Sequence, residues 1–228
     1  RSSVPLILNA NQSLSTSDNG SPSAISTFNG YLVDENYFAG CGGGGGSSAT
    51  SSLDSTTIAN MIAAALPTPA AQIGEFRDGG VVFWVDGTGQ HGLVCDIQDL
   101  GLAEWGCEGS FAAALGTTIG SGVQNTIDIL AACLTAGIAA DLCENSTAQG
   151  YSDWFLPSKD ALNQMYVNKN NVNFALLFNG GSAFSTNVMY WSSSHYNHDR
   201  AWRQNLFDGD QYYTLKSTLY HVRAVRAF

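Results

Sequence analysis

Between Ser194 and Lys216 the chain concentrates the side chains best suited to hold a ligand. His195, Tyr196, Asn197, His198, Asp199 and Arg200 follow one another. Trp202, Gln204 and Asn205 come next, and Asp208, Asp210, Tyr212 and Tyr213 close the group. Aromatic faces stack on the apolar side of a sugar, while Asn, Asp and Arg hydrogen-bond its hydroxyls. Tyr and Arg also dominate protein-binding hot spots. These residues form the candidate ligand-binding set, read as one surface. The competing reading is a polar loop whose Tyr and Trp fill a core. For Trp191 and Trp202, both in alternating stretches, core filling is the expectation. For Tyr196, Asn197, His198 and Tyr212 it is ligand contact.

Other chemistry is weakly encoded. Asp208-Gly209-Asp210 resembles part of a calcium loop, but the remaining oxygen ligands are not evident and Asp-Gly-Asp also makes a plain turn. Asp208 and Asp210 are therefore weak calcium candidates. No other metal and no cofactor is expected. His195 and His198 are three apart, yet in a loop rather than on a helix. Ser192, Ser193 and Ser194 precede His195, but neighbours on a strand point to opposite faces. No nucleophile-elbow motif surrounds them, so no catalytic residue is assigned.

The elements that position the set are legible nearby. Asp153-Trp154-Phe155-Leu156-Pro157-Ser158 brings an apolar run to a proline and an N-cap, and predicts a helix over Lys159–Tyr166 with Leu162, Met165 and Tyr166 on its apolar face. From Tyr190 the chain alternates large and small residues, the mark of half-buried strands. Gly79–Gly87 and His91–Cys95 read as a hairpin with Asp86-Gly87-Thr88-Gly89 at its tip. Residues 116–122 read as a loop. Asn125–Thr135 and Gly137–Cys143 read as helices, with Ile127, Leu130, Ala131 and Leu134 of the first on one side.

The chain has 228 residues, 44% of them hydrophobic and only 12% charged. That suffices for one sizeable domain with an appendage. Net charge is −10. Residues 1–150 hold two basic and fourteen acidic side chains, and residues 151–228 hold seven and five. A basic face for nucleic acid is excluded from the first part. No apolar run reaches the roughly 18–20 residues of a membrane span. Of the five cysteines, Cys107, Cys133 and Cys143 share one Ala/Gly-rich region and are the disulfide candidates. The alternative is that they are small buried hydrophobes.

Residues 1–40 are Ser/Asn-rich and read as an attachment segment for a virion or cell-surface scaffold. Residues 41–72 combine a Gly/Ser linker with a short apolar helix over Ser55–Leu66. Its stripe of Ile58, Met61, Ile62, Ala65 and Leu66 fits either self-association, with a trimer as the expected oligomer, or docking on the domain over residues 73–228.

The motifs Gly79–Asp86, His91–Val94, Gly150–Lys159, Tyr190–Ser194, Ala201-Trp202 and Val222–Arg226 resemble, in this order, the Lcl C-terminal-like domain family over about residues 73–228. The resemblance implies an α+β, C-type lectin-like fold: two helices around a small twisted antiparallel sheet. That fold also serves formylglycine-generating enzymes and the variable proteins of diversity-generating retroelements. His195–Asp199 uses only His, Tyr, Asn and Asp, whose codons differ in the first base, as adenine-directed diversification would produce. The enzymes place paired cysteines late in the chain, and none follows Cys143 here. The calcium-binding lectin motifs Glu-Pro-Asn, Gln-Pro-Asp and Trp-Asn-Asp are absent. Family members occur in bacterial adhesins and phage structural proteins, and several bind glycans. The resulting expectation is a non-enzymatic protein on a virion or cell surface: a phage decoration or fibre protein recognising glycan, mucus or a surface receptor. The alternatives are a structural virion component or a bacterial surface adhesin.

Overall fold

The computed structural model describes residues 26–28, 31–33, 69–184 and 187–228. The chain divides into Arg1–Pro67 and Thr68–Phe228. In the first unit β1 (Ser26–Phe28) pairs antiparallel with β2 (Tyr31–Val33). The rest of the attachment segment, the glycine linker, the Ser55–Leu66 helix and Cys41 lie outside the described residues.

The second unit is a mixed α+β domain. It opens with β3 (Phe76–Arg77), β4 (Gly80–Val85), β5 (Gly92–Cys95) and β6 (Leu102–Ala103). Four helices follow: α1 (Gly122–Ala132), α2 (Ala139–Glu144), α3 (Lys159–Val167) and α4 (Lys169–Phe178). The chain ends with β7 (Met189–His195), β8 (Arg200–Asn205), β9 (Gln211–Leu215), β10 (Tyr220–His221) and β11 (Val225–Ala227). One sheet has the order β6-β10-β7-β8-β9 and the other β11-β5-β4-β3. Among the described residues of this unit four α-helices stand where the resemblance implied two and the residue pattern predicted three; α4 is the one that was not predicted.

The first hairpin forms as its sequence dictates. Asp86 Oδ1 accepts hydrogen bonds from the Thr88 and Gly89 amides and the Thr88 hydroxyl, closing an Asx turn. The Gly79-Gly80 pair has a packing reason as well. A Cβ on Gly80 would lie 2.5 Å from the Cys95 carbonyl. The last strand returns to this hairpin, with Val225 opposite Cys95 and Ala227 opposite Leu93.

Strand β7 corrects the half-buried expectation. Tyr190 packs in one apolar cluster with Leu162, Met165, Val172 and Leu176 from α3 and α4. Trp191 packs in another with Trp105, Trp154 and Ile129. Alternation along β7 therefore separates two cores rather than core from solvent.

Helix α1 is a second correction. It starts and ends three residues earlier than predicted, and most of the expected apolar side faces outward: Leu134, just past its end, is 92% exposed and Ile127 51%, while Leu130 is half-buried against the core. The inward face is Gly122, Asn125, Thr126 and Ile129. Asn125 Nδ2 donates to the Gly116 carbonyl at 2.7 Å and to Ser193 Oγ at 3.1 Å, while its Oδ1 accepts the Gly116 amide. Thr126 Oγ1 accepts the Leu156 amide. Gly122 admits Phe155 and Leu156, since a Cβ there would lie 2.8 Å from both. These bonds satisfy buried backbone groups that no apolar side chain could serve.

Beyond α1, Cys107 and Cys133 are disulfide-bonded, and Cys143 is buried with a free thiol. Helix α2 begins at Ala139 rather than Gly137, where the Asp141 carboxylate accepts the Gly137 amide.

Candidate functional site

Helix α3 fixes one wall of the site. Ser158 Oγ accepts the Ala161 amide, the predicted cap, so Lys159 is the first helical residue. The helix start is tied to β7: Ser193 N donates to the Pro157 carbonyl at 2.7 Å and Lys159 N to Ser194 Oγ at 3.0 Å. Lys159 Nζ then lies 4.1 Å from the centre of the Trp202 ring on β8.

Strands β8 and β9 supply the aromatic rings. Trp202 pairs with Tyr213 across the ladder. Tyr196, in the β7–β8 turn, stacks on Tyr213 with ring centroids 3.8 Å apart and planes 3° from parallel. Trp202 meets both tyrosines edge-on, at 5.5 Å. The Arg200 guanidinium lies 5.6 Å from the Tyr213 ring. Tyr196 is 43% and Tyr213 38% exposed. A hydrogen bond with the Tyr213 side chain raises the pKa of the Tyr196 phenol. The cluster presents an open aromatic surface flanked by two cations. Such geometry suits stacking on a sugar ring or a planar group.

The predicted set does not form one surface. His195 is 4% exposed, and neither ring nitrogen has a hydrogen-bond partner. Its ring packs against Phe111 at 5.0 Å and Trp105 at 6.1 Å. Burial, with the charges of Lys216 and His198 nearby, holds its pKa down to about 4. His195 is a neutral core residue, not a ligand contact. Gln204 is fully buried: its Nε2 donates to Asn163 Oδ1 at 2.8 Å and to the Gly209 carbonyl, and its Oε1 accepts from Gln211. Asn205 is buried too, holding the Phe207 amide and the Asp208 carboxylate. Both position the hairpin from beneath.

The turns are split as well. Asn197 Oδ1 accepts the Asp199 and Arg200 amides, so this exposed residue spends its oxygen shaping the β7–β8 turn. Asp208 and Asp210 lie in the β8–β9 turn, at the far end of a strand of six residues, about 20 Å away. Asp208 Oδ1 accepts the Asp210 backbone amide and Oδ2 accepts from Asn205 Nδ2, which accounts for the motif as a turn. Among the described residues no three His, Cys, Asp or Glu side chains gather as metal ligands. Tyr212 neighbours Tyr213 in sequence, but it pairs with Arg203 and points to the opposite face. The candidates that do converge are Tyr196, Arg200, Trp202 and Tyr213, with Asp199 and His198 exposed beside them in the turn.

Two contributors were not read from the sequence as parts of the site. Lys159 reads as a helix-start residue, and nothing local announces its contact with Trp202. Residues 105–114 form a strap beside the turn. Trp105 N and Gly106 N donate to the Lys216 carbonyl, Gly109 N to the His198 carbonyl and His195 N to the Ala114 carbonyl. Lys216, fully buried, donates from Nζ to the Ser110 carbonyl at 2.7 Å, and burial lowers its pKa to about 8. The Phe111 ring lies 5.5 Å from that of His198. The signal that could have found this strap was Cys107, whose bond to Cys133 anchors it.

A hydrolytic arrangement does not assemble in β7. Ser192 and Ser194 hydroxyls donate to the Trp202 and Gly116 carbonyls, and Ser193 Oγ accepts from Asn125. Elsewhere Asp99 receives the Tyr190 hydroxyl at 2.8 Å and His221 Nδ1 at 3.1 Å, with Arg223 at 3.9 Å. This network ties β10 to the loop after β5.

Residues 115–226 match the model of the Lcl C-terminal domain family. No curated protein matches the chain. Among solved structures, a fimbrial protein from Bacteroides ovatus is similar at 13% identity with a TM-score of 0.48; the alignment covers 68% of this chain and 45% of that protein. The chain thus spans less than half of that protein's length.

Proposed function

We propose, for a chain that belongs through residues 115–226 to the Lcl C-terminal domain family, a non-enzymatic role in surface recognition. The domain is read as C-type lectin-like and its ligand as a glycan. The observation that carries this reading is the exposed Tyr196–Tyr213 stack beside Trp202 and Lys159. The Gln204 amide, buried beneath it, already has its partners in Asn163, Gly209 and Gln211. The rings are therefore not needed to close a polar core, and their exposure supports a binding use. Residues 1–40 would attach the domain to a virion or cell surface, as a decoration or fibre protein, with a homotrimer joined through residues 55–66.

The test uses the full chain on a panel of glycans and mucins, with and without calcium. Saturable binding that is lost in a folded Tyr196→Ala, Tyr213→Ala double variant supports the reading. Equal binding by both proteins, or none by either, rejects it in favour of a purely structural role.

A further inference from the structure

A second group of side chains lies on the other face of the same sheet. Arg203 of β8 sits between two tyrosines, its guanidinium carbon 5.5 Å from the Tyr212 ring of β9 and 5.3 Å from the Tyr220 ring of β10. The row runs above Trp191, whose ring Tyr220 meets edge-on at 5.0 Å. Tyr212 is 54% exposed, and Arg203, Tyr220 and Met189 are half-buried.

The guanidinium lacks the partner its chemistry calls for. In a chain of net charge −10, Arg77, Arg223 and Arg226 each face a carboxylate. Arg203 is in none of the described ion pairs. Its one hydrogen-bond acceptor among the described residues is the Met189 sulfur, a weak one, and its Nε is buried with none. An unpaired buried donor costs about 1–3 kcal/mol. The two rings hold the planar fork in place in advance, which lowers the entropy cost of binding a matching group.

We infer that the Tyr212–Arg203–Tyr220 row docks a protein partner by receiving a carboxylate side chain on Arg203. A carboxylate matches the guanidinium fork in charge and geometry, through paired N–H···O bonds. The composition favours a protein over a saccharide: Tyr, Arg and Met are the residue types enriched at protein interfaces, and three of them meet here around one cation. Because the row faces away from Tyr196 and Tyr213, this inference does not rest on glycan recognition and can fail separately from it.

The test follows the Arg203 side-chain N–H resonances of the full chain by NMR during titration with a hexaglutamate peptide. Hexaglutamine, hexagalacturonate and sulfate serve as comparisons. The expected result is a saturable shift with hexaglutamate alone, weakened at least roughly tenfold in Arg203→Gln and partly kept in Arg203→Lys. A Tyr212→Ala variant, which removes an exposed ring, should weaken binding with the fold intact. No saturable shift overturns the inference. An equal or stronger response to hexagalacturonate makes the row a saccharide site, and an equal response to sulfate makes it an unselective anion contact; either result overturns it too.

Discussion

The rings of Tyr196 and Tyr213 lie 3.8 Å apart and 3° from parallel, one in a turn and the other in the strand beyond the next. The β8–β9 register makes this possible by setting Tyr213 opposite Trp202, which both tyrosines meet edge-on. One ring of the stack is fixed by a strand, and so the turn that carries the other is ordered as well.

That stack should matter for binding more than for folding. Tyr196→Ala is expected to lower stability by about 1 kcal/mol, the scale of one exposed aromatic pair. Thermal melts and glycan titrations of the same samples check this. A large loss of stability would mean that the ring is structural.

Acid should destabilise the domain through His195. Its folded pKa is lowered to about 4 from 6.5, first by burial. Between these values the unfolded chain binds the proton and the folded chain does not, so stability falls as pH drops from about 6.5 towards 4. Burial raises the pKa of Asp96, which works in the opposite direction. Urea midpoints of wild type and His195→Phe across that window separate the two, and the variant should show the shallower acid loss.

Removing the Cys107–Cys133 bond should cost about 3.5 kcal/mol, the chain-entropy value for a loop of this length. A Cys107→Ser, Cys133→Ser variant should also exchange the Gly109 amide faster, since the strap carries that hydrogen bond to His198. Hydrogen exchange and denaturant melts measure both effects. Unchanged Gly109 protection would show that the strap holds without its anchor.

Asn125→Ala should cost about 1–3 kcal/mol, because it strands the half-buried Gly116 amide, while the Gly116 carbonyl keeps the Ser194 hydroxyl. Asn125→Asp keeps the acceptor but loses both donated bonds, and should also destabilise. A midpoint shift below that range would mean that water replaces the amide.

Much of the local structure was legible. Asp86 closes its turn, Ser158 caps α3, and Leu162 and Met165 face the core because turn, cap and helical period are short-range properties. The face of α1 was not legible. Periodicity favoured Ile127 and Leu134, whereas the buried face was chosen by Ser193 and Leu156, both distant in sequence, and by Gly116 in the preceding loop. The candidate site was legible as a stretch but not as a surface. Alternation alone could have separated Tyr212 from Tyr213. It could not have shown that His195 lies beneath the strap or that Lys159 meets Trp202.

The sequence by itself determined the family match over 115–226, the acidic balance, the hairpin, the caps and the strands that carry the aromatic residues. These depend on residue type and near-neighbour spacing. Tertiary structure alone decided which cysteines pair, which face of α1 is buried, and which of the polar and aromatic residues around β8 reach solvent. Those outcomes depend on strand register and on buried polar groups finding partners far along the chain.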